Sequence, residues 1–181
     1  MTPYVALLRG VNLGGNRMVA MADLRALCER LGFRDARTLL QSGNIVFQSA
    51  GRKPAALEKL LEAETAKRLR IETTYFIRTA SEWDDVIARN PLTKEAEADP
   101  GRLIVMCLKD APARGAEKTL RAAIKGPEIA HVGSREAYIY FPDGQGRSKL
   151  TTALLDRSLG TVGTARNWNT VKKIAASLAG G

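Results

Sequence analysis

Tyr4 to Leu8 is an unbroken apolar run of strand length, and Arg102 to Leu108 repeats the pattern about a hundred residues later. After the first run, Met21, Leu24, Leu27, Cys28 and Leu31 recur at three and four, a helical stripe that Gly32 stops. Ala36–Gln41 and Asn44–Gln48 read as strands around a Ser42-Gly43 hairpin turn. Pro54 suits the first position of a helix whose apolar face is Leu57, Leu60 and Leu61. Thr73–Arg78 closes the unit as a strand.

A linking helix follows. Ser81 and Asp84 resemble a capping box, and Trp83, Val86 and Ile87 form the stripe that Asn90-Pro91 ends. Lys94 to Gly101 is polar and reads as the linker between units. From there the order repeats. Residues 113–124 are helical by composition, with Gly115 inside. Glu128–Val132 and Ala137–Phe141 flank a Gly133-Ser134-Arg135 turn. Ser148–Leu159 reads as a helix, Thr161–Ala165 as a short last strand, and Asn169–Leu178 as a final helix.

The order β-α-β-β-α-β, met twice, predicts an α+β fold: two ferredoxin-like (βαββαβ) units from an apparent internal duplication, plus a linking helix and a C-terminal helix. The expected domains are residues 1–98 and 99–181. Right-handed crossovers make the first two strands of each unit parallel, with the third antiparallel between them. The loop after the first strand therefore shares a sheet edge with the hairpin, and the ends of the third and fourth strands share the other. In the first unit this groups Arg9, Asn12, Gly14 and Gly15 with Gln41, Ser42 and Asn44. In the second it groups Asp143, Gly146, Arg147, Ser148 and Lys149 with Arg166, Asn167, Trp168 and Asn169.

Four of these segments carry a resemblance. Arg9-Gly-Val-Asn-Leu-Gly-Gly15, Gln41-Ser-Gly-Asn44, Phe141-Pro-Asp-Gly-Gln-Gly-Arg-Ser-Lys-Leu150 and Arg166-Asn-Trp-Asn-Thr-Val171 resemble the signature blocks of a bacterial family called domain of unknown function 1697. The resemblance implies an α+β fold of about this length and no particular reaction.

Composition narrows the chemistry. The chain has 181 residues, 45% hydrophobic and 26% charged, and a chain of this size buries roughly 70% of its unfolded surface without a disulfide or metal. Cys28 and Cys107 read as buried free thiols of a cytoplasmic protein, and no apolar run approaches the ~20 residues of a membrane span. Twenty-eight Lys and Arg against 19 Asp and Glu give a net charge of +9. That excess attracts anions, although no run of five like charges appears and dispersed surface charge is the competing reading.

Gly144-Gln-Gly-Arg-Ser-Lys149 reads as an anion cradle. Glycine admits backbone close to a ligand, Arg147 and Lys149 add charge, and a helix N-terminus contributes free amides. It is neither a Walker loop nor a Rossmann fingerprint, and a tight turn with Ser148 as helix cap accounts for the same residues. Arg166 would hold an anion and Trp168 offer a stacking face, or Asn167 or Asn169 simply caps a helix over a core tryptophan. Gln41, Ser42 and Asn44 orient a polar ligand or serve the hairpin alone.

A single histidine, His131, and two separated cysteines exclude a zinc constellation, and no Gly-x-Ser-x-Gly elbow exists. No metal or cofactor is expected. The leading expectation is a protein that binds a small phosphorylated or nucleotide-like anion or a nucleic acid. One alternative is an enzyme on a small anionic substrate, with Asp143 or Lys149 moving a proton. The other is an oligomeric interaction module whose polar loops are structural.

Overall fold

The computed structural model describes residues 1–11 and 18–180. The chain opens with β1 (Thr2–Leu8), α1 (Met21–Arg30), β2 (Arg34–Leu39), β3 (Asn44–Ser49), α2 (Pro54–Leu69) and β4 (Tyr75–Thr79). Two connecting helices follow, α3 (Ala80–Ala88) and α4 (Thr93–Ala98). The order then recurs as β5 (Leu103–Leu108), α5 (Ala116–Ala123), β6 (Ile129–Val132), β7 (Glu136–Tyr140), α6 (Thr152–Leu159) and β8 (Gly163–Asn167), and α7 (Trp168–Ala179) ends the chain.

By packing, the chain forms two compact units, residues 1–85 with 173–181 and residues 86–172. The division falls inside α3 and α7. The polar stretch read as a linker contains α4, whose Ala96 is buried.

Each unit holds a four-stranded sheet, ordered β2-β3-β1-β4 in the first and β6-β7-β5-β8 in the second. All six neighbouring pairs are antiparallel. This is the ferredoxin-like arrangement that the element order predicts, met in two similar units. The registers correspond closely. Val5 lies between Val46 and Arg78, and Val105 lies between Tyr138 and Arg166. Each unit thus carries an arginine on its last strand opposite the central valine, and both arginines are buried. Each donates Nη1 to the carbonyl of the preceding residue, Arg78 to Ile77 at 2.9 Å and Arg166 to Ala165 at 2.8 Å.

The apolar runs in the sequence have a simple cause. In β1, Tyr4, Ala6 and Leu8 join the helix-side core with Leu24, Leu27, Leu57 and Leu61. Val5 and Leu7 point to the other face and are equally inaccessible. A strand buried on both faces cannot alternate polar with apolar residues, so it reads as continuous. β5 does the same, with Ile104, Met106 and Leu108 in the core under α5 and α6. Phe33 stacks on Phe47 with centroids 4.5 Å apart, a contact worth about 0.5–1.5 kcal/mol beyond burial.

Local signals set the helix ends. Gly32, at φ 77°, donates to the Glu29 carbonyl while Phe33 donates to that of Cys28. This is a Schellman stop, with Phe33 as its hydrophobic anchor. The capping box lies two residues before the expected pair. Thr79 Oγ1 accepts from the Glu82 amide and Glu82 Oε2 from the Thr79 amide, at 3.1 and 2.8 Å. The sixth helix begins at Thr152, capped by Thr151 Oγ1, not at Ser148, because residues 145–147 form a separate 3-10 turn.

Carboxylates close the outer strands. Along β4 the amides of Tyr75, Ile77 and Thr79 donate to Glu62, Glu58 and Glu82. Along β6 the Val132 amide donates to Glu117 while Arg121 Nε donates to the Ala130 carbonyl. On β8 the Gly163 amide donates to Asp156. Unpaired amides on an edge invite another strand, and side-chain acceptors remove that opportunity. Among the described residues, no helix is long and apolar enough to cross a membrane.

Gly43 sits in the first hairpin at φ 72°, and a Cβ there would lie 2.7 Å from Val11 Cγ2. Gly144, at φ 84°, has open space around the same position. Gly144→Ala is expected to cost about 1–3 kcal/mol for its backbone alone, since φ 84° with ψ 149° is a region essentially restricted to glycine. Gly43→Ala adds a steric clash and is expected to cost about 1–3 kcal/mol more, a ranking that denaturant unfolding of the two variants measures directly. A second expectation concerns pH. Burial, and secondarily Glu29, pushes the Cys28 thiol from its ordinary 9.0 up to about 12. Between those values only the unfolded chain releases this proton, so stability falls as pH rises, with a slope of at most about 1.4 kcal/mol per pH unit. Buried Tyr75 is also raised and steepens the fall above the range of an ordinary phenol. Urea unfolding between about pH 8 and pH 10 is expected to show a shallower decline for Cys28→Ala than for the native chain.

Candidate functional site

The first unit places the end of β1 against its hairpin, since the Leu8 amide donates to the Gly43 carbonyl at 2.8 Å. Arg9 continues from there with both backbone groups engaged: its amide donates to Thr74 O, and its carbonyl accepts from Thr73 Oγ1 at 2.9 Å. Asn44 is fully buried, and its Nδ2 donates to the Leu39 carbonyl and to Ser42 Oγ, each at 2.9 Å. It therefore ties the hairpin together. Ser42 is half-buried in the same turn, and Gln41 is exposed. Asn12, Gly14 and Gly15 lie outside the described residues.

The second unit separates the two segments that topology groups. β7 and β8 both flank β5, so Tyr140 pairs with Leu103 and Asn167 with Ile104 at the same end of the sheet. The strand between them keeps their side chains in different surroundings. Arg166 is buried at 9% exposure, and its Nη1 donates to Thr164 Oγ1 as well as to Ala165 O. Burial lowers its pKa to about 10. Asn167 Oδ1 accepts from the Thr170 amide at 2.9 Å and so starts α7. Trp168 is buried, and Asn169 is exposed.

The glycine-rich segment builds a different feature. Gly144 reverses the chain with its amide on the Phe141 carbonyl, and the 3-10 turn follows. Ser148 Oγ donates to the Glu128 carboxylate and accepts from the Leu150 amide at 3.1 Å. This serine pins the loop to the segment before β6. Between residues 123–128 and 141–150 lies an open cleft with a cavity volume of about 120 Å³. Phe141 and Leu150, both buried, form apolar parts of its wall. Lys125, Arg147 and Lys149 bring three exposed cations to it, and Asp143 and Glu128 bring two carboxylates. Gly146 is exposed on the same turn.

Lys125 and Glu128 do not figure among the residues singled out from sequence. The signal available was a Gly126-Pro127 turn bracketed by opposite charges, which a reading confined to glycine-rich blocks passes over. Among the described residues the Arg147 and Lys149 side chains make no hydrogen bond or ion pair, whereas Lys125 Nζ donates to the Ala122 carbonyl at 3.2 Å. The cleft can therefore stabilise negative charge with groups that are not otherwise engaged.

Other ionisable groups have structural surroundings. His131 Nδ1 lies 3.2 Å from Arg121 Nη2. Cys28 and Cys107 are buried free thiols. Tyr138 donates to the Val86 carbonyl at 2.6 Å, and burial raises its pKa, with Glu136 adding to the effect. Among the described residues no three His, Cys, Asp or Glu side chains are grouped to hold a metal ion.

Comparison with known proteins gives a fold and a family. The chain is similar over 98% of its length, and 98% of the other's, to the conserved bacterial protein SP0830 from Streptococcus pneumoniae, with a TM-score of 0.77 and 22% identity. That likeness shows the shared fold. Among curated proteins none matches. A family model, Protein of unknown function (DUF1697), matches residues 1–138, which include the Arg9–Gly15 and Gln41–Asn44 blocks but end before Phe141–Leu150 and Arg166–Val171. With about three-quarters of its length matched, the chain belongs to the DUF1697 family of proteins of unknown function.

Proposed function

We propose that the second unit binds a phosphorylated or nucleotide-like ligand in the cleft between residues 123–128 and 141–150. The observation that carries this is the pair Arg147 and Lys149, exposed at the cleft with no side-chain partner among the described residues. A guanidinium offers a phosphate two parallel hydrogen bonds, and an ammonium adds a point charge. The cleft's apolar wall gives the uncharged part of such a ligand a surface to cover.

Three further residues of the same segment support the reading in specific ways. Gly144 and Gly146 keep side chains out of the turn. Ser148 fixes the loop through Glu128 and Leu150. The net charge of +9 favours encounter with anions without selecting one. Arg166 enters this reading as a buried strut and not as a ligand contact. A cytoplasmic location and an internal duplication behind the two corresponding registers complete the proposal.

Titration calorimetry with pyrophosphate, nucleoside monophosphates and a short single-stranded DNA tests it. The native protein is expected to bind at least one of these. Replacing Arg147 and Lys149 together by alanine is expected to weaken that affinity by about tenfold or more. Unchanged affinity in the double variant, or no binding to any of the probes, overturns the proposal. Salt separates the ligand classes, because a strand touching several phosphates loses affinity log-linearly with salt and steeply, while one phosphate in one cleft responds weakly.

A further inference from the structure

The cleft holds more than cations. Glu128 stands in its wall, and Ser148 Oγ is the one hydrogen-bond partner of its carboxylate among the described residues. Its Oε2 is buried with no hydrogen-bond partner among them. An ionised carboxylate can accept about four hydrogen bonds, so most of its capacity is unused. A buried polar atom left this way calls for a donor.

Three cations line the same cleft, yet none pairs with Glu128. Lys125 turns to a backbone carbonyl, and Arg147 and Lys149 engage no partner. The glycine two residues earlier is part of the arrangement. A Cβ at Gly126 would lie 2.6 Å from Glu128 Oε2, so the carboxylate in this position rests against the glycine backbone. Opposite charges close together in sequence and space ordinarily neutralise one another. Here they are kept apart on different parts of one cleft. A bare inorganic anion would gain from the cations and be repelled by Glu128 and Asp143. A molecule with an anionic end and a donor end is complementary to both.

We infer that the ligand of this cleft carries a hydrogen-bond-donating nitrogen, an amine or an amide N–H, in addition to its anionic group, and that Glu128 receives that donor. The inference rests on the anion-binding reading above and narrows it to aminated anions. Glu128 is then the specificity residue, and Arg147 and Lys149 are the general anchors. Oε1 keeps a lone pair beyond the one used by Ser148, and Oε2 is buried beside Gly126, so a donor reaches it by a turn of the flexible Glu128 side chain.

The experiment compares matched probes by titration calorimetry. 2-Aminoethyl phosphate and ethyl phosphate share a phosphate and differ in the amine. Guanosine and inosine monophosphates share a purine nucleotide frame and differ in one exocyclic amine. The native protein is expected to prefer the aminated member of at least one pair by about tenfold or more, the worth of a hydrogen bond to a charged acceptor. Glu128→Gln, nearly the same shape and still able to accept from Ser148, is expected to abolish the preference within each pair. Equal affinity within both pairs, or a preference that survives Glu128→Gln, overturns the inference while leaving the anion site standing. Binding of no member of either pair overturns the inference, and overturns the anion site as well when pyrophosphate and single-stranded DNA also fail to bind.

Discussion

Both units depend on one pairing rule: the first strand of each lies between the third and the fourth, antiparallel to both. β1 is held by β3 on one side and β4 on the other, and β5 by β7 and β8. A strand so placed loses contact with water on both faces and along both edges. That demands the apolar runs Tyr4–Leu8 and Leu103–Leu108, and it decides which loops emerge at which end. It also explains why the two charged residues opposite Val5 and Val105 turn inward to carbonyls of their own strands.

The same rule shows how far sequence reaches. Element order, hairpin positions and sheet order were legible, because hydrophobic period and turn residues report directly on local geometry. Gly32 and Pro54 marked helix ends correctly, since each has a single physical use at those places. The polar residues were harder. Asn44 and Asn167 satisfy backbone groups of a hairpin and a helix start, and nothing in the residue type separates that use from ligand contact. Arg166 was grouped with the glycine-rich loop by topology, correctly at the level of the sheet end, but a central strand stands between them. The Ser148–Leu159 helix was drawn four residues too long at its start because the chain before it uses a 3-10 turn, Gln145–Arg147, that shows no apolar period. Helix α4 was missed because six residues of mostly polar sequence carry too little pattern to distinguish it from a linker.

What remains of the polar inventory divides by partner. Groups whose bonds are completed by the fold hold it in place: Asn44, Asn167, Arg78 and Arg166 are of this kind. Arg147 and Lys149 have no such completion among the described residues, and Glu128 has one bond where several are available. A folded chain normally satisfies its buried acceptors, so the half-used carboxylate is the more informative of the two departures. Exposed cations are common on any basic protein. A buried carboxylate oxygen left without a hydrogen bond in a cleft lined by three cations is not.

The carboxylates of the outer strands carry a different message. Glu62, Glu58 and Glu82 occupy the amides along β4, Glu117 occupies one on β6, and Asp156 one on β8. Many sheet proteins recognise peptides by lending an open edge, so that main chain reads main chain and sequence matters only at alternate side chains. Along β4 that language is closed, and it has been closed by acids in a chain that is otherwise basic. A strand that met this edge would find its amides already taken, so what β4 offers a partner is side chains before backbone.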